Sequence, residues 1–253
     1  MEIRRRRKFQ GVLNILSFNR HFYYTGLIAL LAVVLGYYLF NYNDYLKWFL
    51  VVIIIYGLLA PLLVSAYVYD FSKYYDFKWV DTINLKGNNN LVNINAGFDE
   101  TSFILKNKFQ SSNLQVFDFY DQTRHTEQAI KRARKVSRIY PATKSISTSK
   151  IPLKDSSIDI LFLLSAAHEV RSNEEKELFF NECSRVLKDD GKILVVEHLR
   201  DLPNFLAFSI GFIHFFSRKT WKTVFEKANL KLEEEIKFTP FMSVFVLEKF
   251  NKN

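Results

Sequence analysis

The sequence predicts an α/β domain behind a two-helix transmembrane hairpin, with a seven-stranded, mostly parallel sheet that ends in a C-terminal antiparallel hairpin. Three observations predict it. Two charge-free runs of 22 residues, 22–43 and 48–69, follow one another near the start. Behind them short apolar runs alternate with amphipathic stretches, the order that builds βα units and a parallel sheet. One run, 158–164 (IDILFLL), is almost wholly apolar, as a strand covered on both faces must be. Composition sets the outer limits. With 49% apolar residues among 253, the chain is too rich in core-forming side chains to be disordered. Its single cysteine, Cys183, excludes a disulfide scaffold.

Each of the first two runs would reach about 33 Å as a helix, enough for a bilayer core. Tyr23, Tyr24, Tyr37, Tyr38, Tyr45, Trp48, Tyr67 and Tyr69 gather at their ends, where amphipathic rings favour the water interface. A buried helical hairpin would have to hide both runs in a small core. Pro61 is tolerated in a membrane helix. The connector 44–47 is short, so the helices are antiparallel. Residues 1–21 form a basic arm: six Lys or Arg against Glu2, or 6 − 1 = +5 of the total +9. Such flanks stay cytoplasmic, which places the chain in the cell (inner) membrane as a multi-pass protein with both termini in the cytoplasm. The arm is also suited to anionic headgroups of the lipid bilayer. Residues 70–80, alternating aromatics with charges, read as an interfacial junction. Function then falls to the domain 81–253, which carries only +9 − 5 = +4 beyond residue 21, too little for a nucleic-acid partner.

Within it, 91–95 and 114–118 read as strands, 100–108 and 124–138 as helices, and 144–149 as a weak third strand. Ser172 and Glu175 form a capping box ahead of a helix whose Phe179, Cys183 and Val186 recur at helical spacing and which Gly191 stops. The fifth strand is 192–197, and 231–237 with 241–248 make the terminal hairpin.

The block 151–198 resembles the class I S-adenosylmethionine-dependent methyltransferases, here in a membrane-anchored variant. It has Ile151-Pro152-Leu153, then Asp155-Ser156-Ser157-Ile158-Asp159, a buried strand, Arg185-Val186-Leu187-Lys188-Asp189-Asp190-Gly191, and a strand ending at Glu197. The resemblance implies a Rossmann-like fold and S-adenosylmethionine as cofactor, bound at Asn95, Ala96, Gly97, Phe98, Asp99, Asp118, Phe119, Ser147, Thr148 and Ser165. Asp118 would take the ribose hydroxyls, since a carboxylate accepts two such bonds, and Phe119 would pack on adenine. The chain departs from the family's glycine-rich pattern: Asn93, Asn95, Gly97 and Asp99 leave one glycine of the usual three. Asn95 reaches positive φ at moderate cost. Asp99 would either receive the cofactor's ammonium or exclude the cofactor. Ser147 and Thr148 offer only hydroxyls where an acid commonly reads adenine.

Methyl transfer from a sulfonium depends on positioning, and a hydroxyl acceptor also needs its proton removed. His168, Glu169 and His198 follow the fourth and fifth strands, at the edge where open α/β sheets bind ligands, and are the candidate catalytic residues. Arg171 is placed to hold an anionic group beside them. No His, Cys and Asp cluster has metal-ligand spacing, so the sequence indicates no metal site. The run 202–216 (LPNFLAFSIGFIHFF) is too short to span and reads as an interfacial lid, with Phe208, Phe212 and Phe215 toward lipid. The sequence therefore describes a cytoplasm-facing methyltransferase acting on a lipophilic small molecule: a lipid, quinone-like or phenolic acceptor. The alternative is a methyltransferase-like binding or scaffold protein that has lost catalysis. A nicotinamide dehydrogenase would need G-x-G-x-x-G at the first helix, which is missing.

Overall fold

In the computed structural model, which describes residues 6–81, 88–125 and 127–250, the chain opens on a helix that the sequence reading left inside the basic arm. This is α1 (Gln10–Phe18), with Val12, Ile15 and Leu16 at helical spacing. Its first turn has no cap of its own; the Asp70 carboxylate instead accepts from the backbone N–H of Gly11 (2.9 Å) and Val12 (3.1 Å). A Cβ on Gly11 would stand 2.5 Å from the Tyr69 Cβ, so glycine permits this approach. Residues 1–5 of the arm lie outside the described residues. Arg6 does not face headgroups: its guanidinium donates to Glu100 (2.6 Å).

Two helices long and apolar enough to cross a membrane follow. They are α2 (Arg20–Phe40) and α3 (Asp44–Ser65), the second continuing as a π-helical segment Ala66–Phe71. α2 buries none of its residues within the protein, and α3 buries only Ser65. Asn43 caps α3 by accepting from the Tyr45 N–H. The two helices start and stop two to four residues earlier than the charge-free runs, because Asn41 takes a left-handed conformation that ends α2. They touch at Gly26, where a Cβ would lie 2.5 Å from Leu58 Cδ2.

The domain is a seven-stranded sheet in the order β3-β2-β1-β4-β5-β7-β6. Its strands are β1 (Asn90–Asn95), β2 (Asn113–Asp118), β3 (Lys144–Ser145), β4 (Ile158–Leu164), β5 (Leu187–His198), β6 (Leu230–Thr239) and β7 (Met242–Lys249). β1 to β5 are parallel, and β7 runs antiparallel between β5 and β6. Between them lie α4 (Ser102–Lys108), α5 (Gln128–Val136), α6 (Asn173–Val186), α7 (Leu202–Phe208) and α8 (Arg218–Lys227). The sequence order reverses between β1 and β4, the topological switch point at which open sheets hold ligands.

Alternation along the strands feeds two cores. Leu161, Leu163, Ile193 and Val195 face α6 and α8, whose Phe179, Phe180, Trp221 and Phe225 fill that side. Ile160, Phe162, Leu194 and Val196 face the other way. There the expectation of an interfacial junction at 70–80 is corrected: Tyr74, Phe77, Trp79 and Val80 are buried against the sheet. This face would otherwise be covered only by α4, and the junction's rings supply the missing apolar area. Of the capping box, one half forms: Ser172 Oγ accepts from the Glu175 N–H (3.2 Å), while the Glu175 carboxylate is taken by Arg124 and Thr148. Gly191 does not stop α6, which ends at Val186; it lies inside the long strand β5.

Candidate active site

One cavity of about 860 Å³ connects the carboxyl edge of the sheet to the two apolar helices. At the sheet end it is lined by Asn95 and Ala96 after β1, Ser165, His168 and Glu169 after β4, and His198 at the end of β5. At the other end it is lined by Gly26 and Ala29 of α2 and Ile54, Leu58 and Pro61 of α3. α1 and the segment 208–215 close the sides. The β-strand ends converge because β4 and β5 pair in register to Leu164 and Val196, and Ser165 N–H then donates to Val196 O (2.8 Å). Ser165 itself sits at φ 53°, a conformation a non-glycine residue holds only where its surroundings enforce it.

The three candidate catalytic residues come together. The His168 ring gives Nδ1–H to the Glu197 carboxylate (2.7 Å), whose other oxygen accepts the His168 backbone N–H (3.2 Å). Its Nε2 lies 3.5 Å from Glu169. Burial disfavours the imidazolium, but the Glu197 and Glu169 carboxylates outweigh it and raise the His168 pKa to about 10. His198 is the opposite case. Burial without a carboxylate partner lowers it to about 4, so its ring is neutral. Its Nδ1–H is directed at Phe241 O (2.9 Å) and Asn204 Oδ1 (3.1 Å), which leaves Nε2 to accept from the Tyr69 hydroxyl (2.8 Å). Tyr69 belongs to the π-helical end of α3, so the apolar hairpin itself delivers a hydroxyl to the site.

His214 is a site residue that sequence reasoning missed. It lies on the 3-10 segment Ser209–His214, with its ring 5.2 Å from that of His168. Only the fold shows this, since 46 residues separate the two. Arg171 does not offer its charge to a ligand: it donates to the carbonyls of His168 (3.1 Å) and His214 (2.7 Å), clasping the two segments together. Arg200 does the same for the carbonyls of Phe215 and Ile213. The lid reading also needs a correction of detail. Phe208 and Phe215 pack on the His198 ring inside the cavity wall, and Phe212 packs on Phe205. The side chains turned outward are Leu202, Phe205, Leu206, Ile210 and Ile213.

The candidate cofactor residues divide. Asn95, Ala96, Phe98 and Ser165 line the cavity; among the described residues Gly97, Asp99, Asp118, Phe119, Ser147 and Thr148 do not. Asp99 caps α4 with one oxygen, Oδ1, which accepts from the Thr101 and Ser102 N–H groups, while Oδ2 is buried without a partner among the described residues. Asn95 Oδ1 accepts from the Gly97 N–H (3.1 Å), bracing a turn in which Gly97 takes φ 90°. Asp118 ends β2 as expected, yet its carboxylate holds Arg134 (2.6 Å) and the Tyr120 N–H (2.8 Å). Phe119 is buried against Phe179 in the core, and Thr148 donates to Glu175. Asn93 also lines the cavity, and the buried Asn93 Oδ1 and Ser165 Oγ have no hydrogen-bond partner among the described residues. Arg134, whose side chain is 40% exposed, occupies the Asp118 carboxylate.

Residues 102–195 match a family described as a methyltransferase domain. The fold is that of the S-adenosylmethionine-dependent methyltransferases. Similar solved structures include a methyltransferase of Methanosarcina mazei, 15% identical, covering 68% of this chain and 97% of that one at a TM-score of 0.50. Another is the geranyl diphosphate C-methyltransferase of Streptomyces coelicolor, solved with Mg²⁺, geranyl diphosphate and S-adenosyl-L-homocysteine; it is 13% identical, covering 75% of this chain and 83% of that one at a TM-score of 0.52. No curated protein matches the chain. At these identities the likeness is one of fold.

Proposed function

We propose that the protein is a membrane-anchored methyltransferase that transfers the methyl group of S-adenosylmethionine to a lipophilic acceptor drawn from the bilayer. The observation that carries this reading is the shared cavity, whose wall passes from α2 and α3 to His168, Glu169 and His198 without a break. Two helices of mean hydropathy 1.8 and 2.6, burying almost nothing inside the protein, find an apolar partner only in lipid. The outward row of Leu202, Phe205, Leu206, Ile210 and Ile213 belongs at the same surface. With the basic arm ahead of α2, both termini and the domain lie in the cytoplasm, where the methyl donor is.

When bound, S-adenosylmethionine supplies an electrophilic methyl on a sulfonium. Asn93, Asn95 and Ala96 would hold its methionine end, and Asp118 its ribose once Arg134 has moved. An acceptor hydroxyl entering from the hairpin meets Tyr69, whose own proton rests on His198 Nε2. This pair would take the acceptor proton, Tyr69 passing its own to His198 Nε2 as it receives the acceptor's; the carbon–oxygen bond would form as the carbon–sulfur bond breaks, with S-adenosylhomocysteine as the leaving group. His168, held charged by Glu197 and Glu169, stabilises developing negative charge on the acceptor oxygen. The apolar wall excludes water, so these interactions act at low effective dielectric.

The test is transfer of labelled methyl to native membrane lipid by the full chain. Ala29→Trp, which fills the hairpin end of the cavity far from the strand edge, should abolish transfer while S-adenosylmethionine affinity stays within twofold or so. Unchanged transfer by Ala29→Trp would refute entry along the hairpin, and absence of S-adenosylmethionine binding by the folded wild type would move the protein to a binding role.

A further inference from the structure

Three of the five histidines in the chain line this cavity: His168, His198 and His214. His198 is occupied on both ring nitrogens, but the other two are arranged differently. One ligand atom each from His168, Glu169 and His214 falls within 4.8 Å of the others. The His168 Nε2–Glu169 separation is 3.5 Å. Ligands bound at about 2.0–2.1 Å in a tetrahedral site lie roughly 3.3 Å apart, so this pair already stands near the spacing such a site requires.

The surroundings are built as the outer layer of a metal site is built. Glu197, almost fully buried, takes the Nδ1–H of His168 at 2.7 Å and its backbone N–H at 3.2 Å. The ring is thereby held at two points with Nε2 turned to Glu169 and the cavity, the carboxylate–histidine arrangement that orients imidazole ligands. Glu127 stands 3.5 Å from His214 Nδ1 in the equivalent place. Arg171 fixes the two ligand-bearing segments by their carbonyls, so the histidines are not free to drift apart.

We propose that His168, Glu169 and His214 bind one divalent transition-metal ion whose remaining position opens to the cavity. Two imidazoles and one carboxylate suit Zn²⁺ or Co²⁺ rather than Mg²⁺ or Ca²⁺, which prefer oxygen ligands throughout. The metal site does not depend on methyl transfer. If the methyltransferase reading also holds, the open position takes an oxygen of the acceptor, and the metal supplies the charge stabilisation assigned above to the His168 imidazolium.

The experiment uses the full chain in detergent, free of any affinity tag and stripped with chelator, then loaded with Zn²⁺ and desalted for elemental analysis, and separately titrated with Co²⁺ while visible absorption is read. The wild type should retain about one Zn²⁺ per chain and show the d–d bands of low-symmetry Co²⁺. Glu197→Gln should weaken binding by roughly 10–100-fold, as loss of an outer-layer partner does. His214→Gln, whose side chain is half-exposed and whose loss spares the core, should weaken it by more. Retention of less than a tenth of an equivalent by the wild type overturns the proposal. So does equal retention by His214→Gln, which would show adventitious binding. Both readouts are independent of methyl transfer, so failure of this proposal is distinguishable from failure of the proposed activity.

Discussion

Replacing Arg134 with Ala should tighten S-adenosylmethionine binding, although it removes a residue at the edge of the candidate site. Arg134 Nη1 holds Asp118 at 2.6 Å, its guanidinium lies 4.4 Å over the Tyr120 ring, and a Cβ on Gly97 would stand 2.9 Å from the same nitrogen. The guanidinium thus fills the space between the loop after β1 and the acid that ends β2, and a ribose entering there must displace it. The cost of displacement is small. The pair is half-exposed, which limits it to about 0.2–1 kcal/mol. A cation–π contact at an exposed site adds about 0.5–1 kcal/mol. Removing both in advance should therefore tighten binding by about 0.7–2 kcal/mol, or roughly 3- to 30-fold. The assay is calorimetric titration of S-adenosylmethionine into the full chain in detergent, with Asp118→Ala as the control that loses binding. Unchanged or weaker binding by Arg134→Ala would refute the reasoning, because Arg134 would then contact the cofactor or stand clear of it.

Three further outcomes follow from the same geometry. Buried His198 is neutral down to about 4 whereas the unfolded chain takes up this proton near 6.5, so acidification between those values favours unfolding; the loss is at most about 3 kcal/mol, and denaturation at pH 6.5 and pH 4.5 should show a smaller difference for His198→Gln than for wild type. Glu100 accepts from Arg6, Gln10, Asn14 and Tyr75, so Glu100→Ala removes four hydrogen bonds and leaves the part-buried Arg6 guanidinium only Asp70 at 3.7 Å as an acidic partner; about 3 kcal/mol of stability and the protection of α1 from proteolysis should be lost together. Gly26→Val forces a side chain into Leu58 and should lower the thermal midpoint by an amount matching the roughly 1–3 kcal/mol of an overpacked contact, whereas Gly57→Val, where a Cβ meets nothing within 4 Å, should leave it nearly unchanged.

The strands were legible because their signals are local. The run 158–164 matches β4 residue for residue, and the strand ends that carry Asp118, His168 and His198 follow from the alternation of apolar runs and punctuation. What was hidden depends on contacts between distant segments. The junction's aromatics read as interfacial because nothing local says that one face of the sheet lacks a helix; Tyr74, Phe77 and Trp79 fill it only because the chain returns from α3 to that face. His214 could not be paired with His168 from spacing, since the 202–216 run folds back over the strand edge through the carbonyl clasps of Arg171 and Arg200. Asp118 was placed correctly but its partner was not: Arg134 is one of six basic residues between 124 and 138, and only the helix face decides which one reaches the strand end.

The loop after β1 shows why its glycine-poor sequence is compatible with a working domain. In residues 95–100 four side chains have a task that glycine would leave undone. Asn95 braces the turn, Asp99 caps α4, and Phe98 packs edge-on to Phe18 of α1 at 5.3 Å. Glu100 ties Arg6, Gln10 and Asn14 of the arm to Tyr75 of the junction. Phe98, Asp99 and Glu100 therefore connect the candidate cofactor loop either to its own helix or to the segments flanking the apolar hairpin. Displacing α1 would remove Phe18 from Phe98 and two donors, Gln10 and Asn14, from Glu100 at once, and the carboxylate of Glu100 would lose partners that compensate its burial. The loop's conformation is thus thermodynamically coupled to the seating of the hairpin, and by reciprocity a ligand that orders the loop strengthens that seating.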